Sequence, residues 1–151
     1  MRALSHSAIS TWRAPLLALA GGGAIALGSW LPWMTYFAGL VPLRGWIGWN
    51  GRLLLGAGDI GLVVAVALAP PRGARTRGYA RRVAALVGLG VVAAAAWLLL
   101  GVWDLTRIHA ANAMVAPRPG FGLVVVLAGG AMLCASAWPA AKTRLGSVEN
   151  Q

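Results

Sequence analysis

One carboxylate lies inside an apolar stretch of this sequence, where a charge is costly. Asp59 stands between glycines in the stretch 53–69, and a carboxylate at the centre of a membrane-spanning helix costs ~2.5–3.5 kcal/mol even on the more lenient insertion scale. Arg52 precedes it by seven residues, which predicts roughly the same helical face. Two interpretations follow: an ion pair or hydrogen-bonded carboxylate that sets helix register, or a carboxylate that carries a proton or binds a cation.

A second polar cluster follows the third apolar stretch. It comprises Asp104, Arg107 and His109. Asp104 and Arg107 can pair at i, i+3 if the helix continues, for ~0.2–0.5 kcal/mol. The sequence predicts a solvated helix end here, and the alternative is that His109 passes protons toward Asp59.

Residues for catalysis or cofactor binding are scarce. Cys134 is the single cysteine and lies in an apolar stretch, which argues against a disulfide, a redox pair or a zinc cluster. His6 and His109 are predicted on opposite sides of the membrane, which argues against paired haem ligation. The sequence has no phosphate-binding glycine loop of the Walker type. We therefore expect no enzyme, no catalytic residue, no metal site and no cofactor.

Four apolar stretches must position these polar residues. They cover residues 12–31, 53–69, 83–103 and 121–138, each close to the ~20 residues that span ~30 Å of hydrocarbon. A hydrophobic content of 59% leaves too little polar surface for a soluble globule of 151 residues. The sequence predicts an all-α fold: a single transmembrane domain over 1–151, built as an antiparallel four-helix bundle.

The positions of the basic residues explain the net charge of +10. Nine of them lie near the termini or in the connection between the second and third stretches: Arg2, Arg13, Arg72, Arg75, Arg77, Arg81, Arg82, Lys142 and Arg144. The other side carries four: Arg44, Arg52, Arg107 and Arg118. The positive-inside rule therefore predicts both termini and the basic loop 70–82 in the cytoplasm of a bacterial inner-membrane protein. The arginines of that loop are either a topology signal alone or a site for anionic lipids, and no nucleic-acid partner is expected.

The first apolar stretch has an alternative interpretation as a cleaved signal peptide, because it contains Ala24-Ile25-Ala26. The run continues beyond that point to Leu31, as expected of a retained helix. Within it, Gly21, Gly22 and Gly23 predict either a tight helix crossing or a flexible point.

The predicted external loop 32–52 is apolar and rich in aromatic residues. Two prolines and several glycines argue against a spanning helix. Its aromatic side chains form either a belt at the membrane surface or a platform that contacts a partner protein or a lipid. The candidates for such contact are Trp30, Trp33, Tyr36, Phe37, Trp46 and Trp49.

Short motifs suggest a relationship. The Leu31-Pro32-Trp33 break and the turn Gly58-Asp59-Ile60-Gly61, with twelve arginines to one lysine, resemble the small tryptophan-rich four-helix membrane proteins of actinobacteria, most of which have no assigned function. Tryptophan-rich sensory proteins differ in having five helices and a Trp-x-Pro-Pro pattern after the first. Small multidrug exporters carry their essential carboxylate in the first helix, where this chain has none.

We expect an accessory or scaffold subunit of a bacterial inner-membrane assembly, of a kind that handles envelope lipids. Polar residues are few in the predicted spans, while aromatic and small residues suited to helix docking are plentiful. The expected partner is another membrane protein or a second copy of this chain. The alternative is a small oligomeric proton-coupled transporter in which Asp59 is the coupling carboxylate.

Overall fold

Four helices make up most of the described chain. A computed structural model describes residues 6–112 and 116–138, so Arg2, Lys142 and Arg144 lie outside it. The helices are α1 (His6–Trp30), α2 (Trp49–Leu68), α3 (Ala74–Ile108) and α4 (Phe121–Ala137). The predicted number of helices is confirmed.

The prediction of a basic loop over residues 70–82 is wrong for most of that range. Residues from Ala74 onward already belong to α3, so the connection is confined to residues 69–73. Pro70 and Pro71 cannot continue α2, because proline lacks the backbone N–H that a helix interior needs. The alanines and arginines that follow Gly73 are good helix formers, and they extend α3 beyond the apolar stretch on which the prediction rested.

The predicted external loop is also more ordered than expected, and it adds a small sheet to a fold predicted to be all-α. Strands β1 (Pro32–Tyr36) and β2 (Val41–Arg44) form a hairpin, and β3 (Arg118–Pro119) pairs with the other edge of β1. All pairings are antiparallel, in the order β2-β1-β3. Aromatic and β-branched residues favour the strands, and Pro42 is tolerated because β2 is an edge strand.

The hairpin turns through a short 3₁₀ segment, Phe37–Gly39. Phe37 has φ +52° and Gly39 has φ +100°. Glycine adopts that region freely, whereas for a bulky residue it is unusual. A second 3₁₀ segment, Gly45–Ile47, then leads from β2 into α2, which begins four residues earlier than the predicted stretch.

Close glycine contacts define the order of the helices. A Cβ added to Gly21 would lie 2.8 Å from the oxygen of Gly129 in α4, while one added to Gly22 would lie 2.8 Å from the nitrogen of Leu62 in α2. Adjacent glycines therefore allow α1 to pack against two helices at once. At Gly23 an added Cβ would meet nothing within 4 Å. Of the two alternatives for this triplet, the described contacts show a tight crossing.

Helix α3 completes the bundle on the far side of α4. Gly88 lies against Cys134 and Gly130, so the helices follow the order α2-α1-α4-α3 with α1 antiparallel to both neighbours. The two outer helices, α2 and α3, meet along a much smaller contact. Large side chains fill the centre: Ile25, Leu123, Val126 and Leu133 are fully buried. The bundle has a sheet end and, at the opposite end, an arginine-rich end.

Two of the helices, α2 and α3, are long and apolar enough to cross a membrane by length and composition. Helix α4 is equally apolar but has only 17 residues. These features indicate, weakly, a helical membrane protein.

Candidate functional site

Asp59 lies at the middle of α2 and faces away from the bundle. Arg52, Gly56, Asp59 and Val63 recur along one exposed face of the helix. The opposite face carries the buried residues, among them Leu54, Gly58, Gly61 and Ala65. Helix periodicity accounts for this separation, because positions i, i+4 and i+7 share a face.

The expected ion pair between Asp59 and Arg52 is not formed. Both side chains are exposed, and among the described residues the structure gives no ion pair or hydrogen bond to the Asp59 carboxylate. Seven residues correspond to roughly 10 Å along the helix axis, which is far for direct contact. The sequence correctly placed the two residues on one helical face. Its interpretation of Asp59 as an ion-paired or hydrogen-bonded carboxylate does not hold within the described part of a single chain.

The second polar cluster lies at the sheet end of α3, and its members do not form one site. Arg107 lies over the ring of Trp103, 5.7 Å from the ring centre, in a cation–π contact rather than in the expected pair with Asp104. His109 caps the helix, with Nδ1 2.9 Å from the oxygen of Leu105. The three residues are exposed, and His109 lies at the sheet end of α3, whereas Asp59 lies at the middle of α2. Of the two interpretations of this cluster, its exposure fits the solvated helix end.

Of the eight tryptophans, Trp33 alone is buried, with 7% of its surface exposed. Its indole occupies space that side chains at Gly45 and Gly122 would need. The prediction that Trp33 contacts a partner or a lipid is therefore wrong. Gly45 and Gly122 leave the space that its ring occupies, and the sequence alone does not place these residues together.

The other aromatic residues of this segment do form an outer surface at the sheet end. Trp30 and Trp46 stack with ring centres 5.5 Å apart, and both are exposed together with Phe37 and Trp49. Tyr36 is half-buried. Leu40, at the tip of the hairpin, is 83% exposed. The tip and the Trp30–Trp46 stack present apolar groups that no described residue covers.

The arginines of the opposite end lie on two faces of α3. Arg75, Tyr79 and Arg82 recur at i, i+4 and i+7 and line a shallow cleft of about 250 Å³. Arg77 and Arg81 project from the other side of the helix, and Arg72 precedes it. All five arginines predicted to bind anionic lipid are exposed. Two guanidinium groups beside a phenol can hold an anionic oxygen group such as a phosphate.

A lateral groove between α2 and α3 was not predicted. It has a volume of about 690 Å³ and lies where these two helices meet along only a small contact. Small residues on both sides, including Gly56, Ala57, Gly90 and Ala94, keep it open. Its polar lining, Asn50 and Arg52, lies at the sheet end, and Trp97 lies at its edge. The one available signal was the pairing of small residues on two neighbouring helices, which is weak in a chain so rich in alanine and glycine.

Among residues 6–112 and 116–138, the structure brings no three histidine, cysteine or acidic side chains together as a metal site. Cys134 lies between α4 and α3, with Sγ 4.0 Å from the oxygen of Ala85. Two buried hydroxyl groups are satisfied within their own helices: Ser29 donates to the oxygen of Ile25 and Ser136 to that of Leu133. These groups contribute to packing.

Comparison with known proteins adds no relationship: no family model matches the sequence, and neither a curated protein nor a solved structure matches it significantly. The resemblance to the small tryptophan-rich membrane proteins of actinobacteria stays a prediction.

Proposed function

We propose that this protein is an accessory or scaffold subunit of a larger assembly in a bacterial inner membrane. It spans the bilayer four times, with both termini and the arginine-rich end of the bundle in the cytoplasm and the small sheet outside. Its partner is another membrane protein that packs against the outer face of α2, and its work concerns the lipids of the envelope.

The distribution of arginines supports this orientation. Six described arginines lie toward one end of the bundle: Arg13, Arg72, Arg75, Arg77, Arg81 and Arg82. Four lie at the sheet end: Arg44, Arg52, Arg107 and Arg118. Cytoplasmic segments carry the excess of basic residues in membrane proteins. Retention of the first helix is supported by its packing, since α1 separates α2 from α4 and contacts both.

The exposure of Asp59 is the observation that carries the proposal of a partner. Charged side chains within spanning helices almost always face a bundle interior or a water-filled cavity, because lipid does not solvate them. In this chain Asp59 faces outward from the middle of α2. A second protein that covers this face would supply the missing polar neighbour.

The sheet end offers a second contact surface for the same partner. The Trp30–Trp46 stack and Trp49 are amphipathic aromatic groups of the kind enriched both at membrane surfaces and in protein interfaces. At the other end, the cleft of Arg75, Tyr79 and Arg82 suits anionic lipid headgroups, at ~1 kcal/mol per basic residue near the surface.

The experiment is purification of the tagged full chain from its native membrane in mild detergent, followed by mass spectrometry of bound protein. We expect a stoichiometric membrane-protein partner that is lost when Asp59→Leu replaces the carboxylate. Asp104→Asn, which removes an exposed carboxylate at the end of α3, is the control and should retain the partner.

Two results would contradict the proposal. One is recovery of the chain in the soluble fraction without detergent, which would exclude membrane insertion. The other is a homogeneous homo-oligomer with no second protein. That result would favour a proton-coupled transporter in which Asp59 faces a neighbouring copy, and proton flux that Asp59→Asn abolishes would then establish it.

A further inference from the structure

We propose that the lateral groove between α2 and α3 binds an acyl chain of an anionic phospholipid, with the lipid phosphate beside Arg52. The inference rests on the membrane placement proposed above, but it does not depend on the protein partner, because Asp59, whose exposure carries the proposal of a partner, does not line the groove. The groove shares Arg52 and Gly56 with the exposed face of α2.

The length of the groove matches one leaflet. Its lining extends from Asn50 to Ile60 on α2 and from Val87 to Leu98 on α3. Eleven or twelve residues at ~1.5 Å each span roughly 17–18 Å, which is a little more than half of the ~30 Å hydrocarbon thickness of a bilayer. A chain that enters at the sheet end would therefore reach the middle of the membrane and stop there.

The lining of the groove is apolar over most of its length and polar at one end, which matches a molecule with an apolar chain and a charged headgroup. Leu53, Ala57, Ile60 and Val87 make most of the lining apolar. Asn50 and Arg52 lie at the sheet end, and Arg52 is the charged residue among those that line the groove. Its guanidinium can donate two parallel hydrogen bonds to a phosphate. Asp59 does not line the groove, so no carboxylate within it repels an anionic headgroup.

The groove stays open because no other group packs against its glycines. An added Cβ at Gly56 or Gly90 would meet nothing within 4 Å, whereas one at Gly88 would lie 2.9 Å from the backbone oxygen of Gly130. Gly88 thus lies on a face of α3 that α4 closes, and Gly90 lies on a face that opens into the groove. At about 690 Å³ the groove has the size of ordinary small-molecule pockets. Inside a bilayer such a space must be filled, since an empty apolar void forfeits dispersion contacts.

The test is native mass spectrometry of the full chain in detergent micelles that contain equal amounts of phosphatidylglycerol and phosphatidylcholine with identical acyl chains. We expect the wild-type protein to retain a phospholipid and to prefer phosphatidylglycerol. Arg52→Gln should reduce that preference about fivefold, the change that corresponds to ~1 kcal/mol for one basic residue. Arg44→Gln, also exposed at the sheet end but outside the groove lining, is the matched control.

A second pair of variants tests the site of the acyl chain. Gly90→Leu combined with Ala94→Leu places two side chains in the groove and should lower retention of both lipids severalfold. Gly101→Leu makes the same kind of change at another exposed position of α3 where an added Cβ meets nothing within 4 Å, and it should leave retention unchanged. If the groove-filling variant does not fold, the comparison of Arg52→Gln with Arg44→Gln still decides the headgroup contact.

The proposal is overturned if Arg52→Gln and Arg44→Gln change the lipid preference equally, or if neither changes it. It is overturned as well if the filled groove retains lipid like the wild type, or if a second copy of the chain occupies the groove in place of lipid. Loss of the lipid site with the Asp59-dependent partner still bound would leave the scaffold proposal standing, so the two proposals fail separately.

Discussion

The indole of Trp33 donates its N–H to the backbone oxygen of Gly28, with a nitrogen–oxygen distance of 3.0 Å. The bond joins the first strand of the sheet to the last turns of α1. The backbone of Trp33 makes a second connection, because its oxygen accepts a hydrogen bond from the nitrogen of Gly120 at 2.8 Å, just before α4. One residue thus holds the sheet against the ends of two helices.

Replacing Trp33 should therefore destabilise the sheet end. Trp33→Phe removes the indole N–H and leaves the oxygen of Gly28 without that donor, which should cost about 1–3 kcal/mol, while Trp33→Ala should cost about 3–5 kcal/mol through the cavity as well. Thermal unfolding in detergent measures both. Trp49→Phe is the control, since Trp49 is 74% exposed, and an effect as large as that of Trp33→Phe would show that the hydrogen bond is not the cause.

Replacing glycine by alanine should destabilise the protein where the glycine lies at a helix crossing and stabilise it where the glycine faces open space. A Cβ at Gly129 would lie 2.7 Å from the oxygen of Gly21, so Gly129→Ala should force α1 and α4 apart and destabilise the protein by about 1–3 kcal/mol, as overpacking does. Gly90→Ala should stabilise it by about 0.5–1 kcal/mol, because alanine favours the helix. Paired unfolding curves test the sign, and stabilisation by both substitutions would be inconsistent with the packing.

Thr106 should contribute a measurable link between the end of α3 and the segment before α4. Its hydroxyl lies 2.8 Å from the oxygen of Val102 and 2.7 Å from that of Pro117, and its single proton serves one acceptor at a time. Thr106→Val keeps the shape and should lower the free energy of unfolding by about 0.5–1.5 kcal/mol. Thr76→Val, at an exposed position of the same helix, should change it little. Equal effects would argue against the link.

The proposed orientation can be tested with single cysteines. In a Cys134→Ala background, Leu40→Cys at the hairpin tip should react with a membrane-impermeant thiol reagent in intact spheroplasts. Gly73→Cys, in the connection between α2 and α3, should react only after the membrane is permeabilised, because the positive-inside rule puts the arginine-rich end in the cytoplasm. The reverse pattern of labelling would invert the topology, and labelling of both positions in intact spheroplasts would exclude it.

The sequence by itself determined the local structure of this protein. Apolar stretches of helical length predicted four helices, and the prolines of the segment 32–52 argued against a further spanning helix there, because proline acts on the backbone within a few residues. It also put Asp59 and Arg52 on one face of α2, since helix periodicity alone decides that. The extension of α3 to Ala74 was missed because the prediction followed apolarity, whereas alanine and arginine form helix without it.

Only the tertiary structure decided how the helices are rotated and which pairs touch. Helix α4 is apolar all round, so no polar face in its sequence marks the side that packs. Nor could the sequence show that Asp59 points outward, that Trp33 alone among the tryptophans is buried, or that a groove lies between α2 and α3. These features depend on where glycines of different helices meet, and that is a property of the assembled bundle.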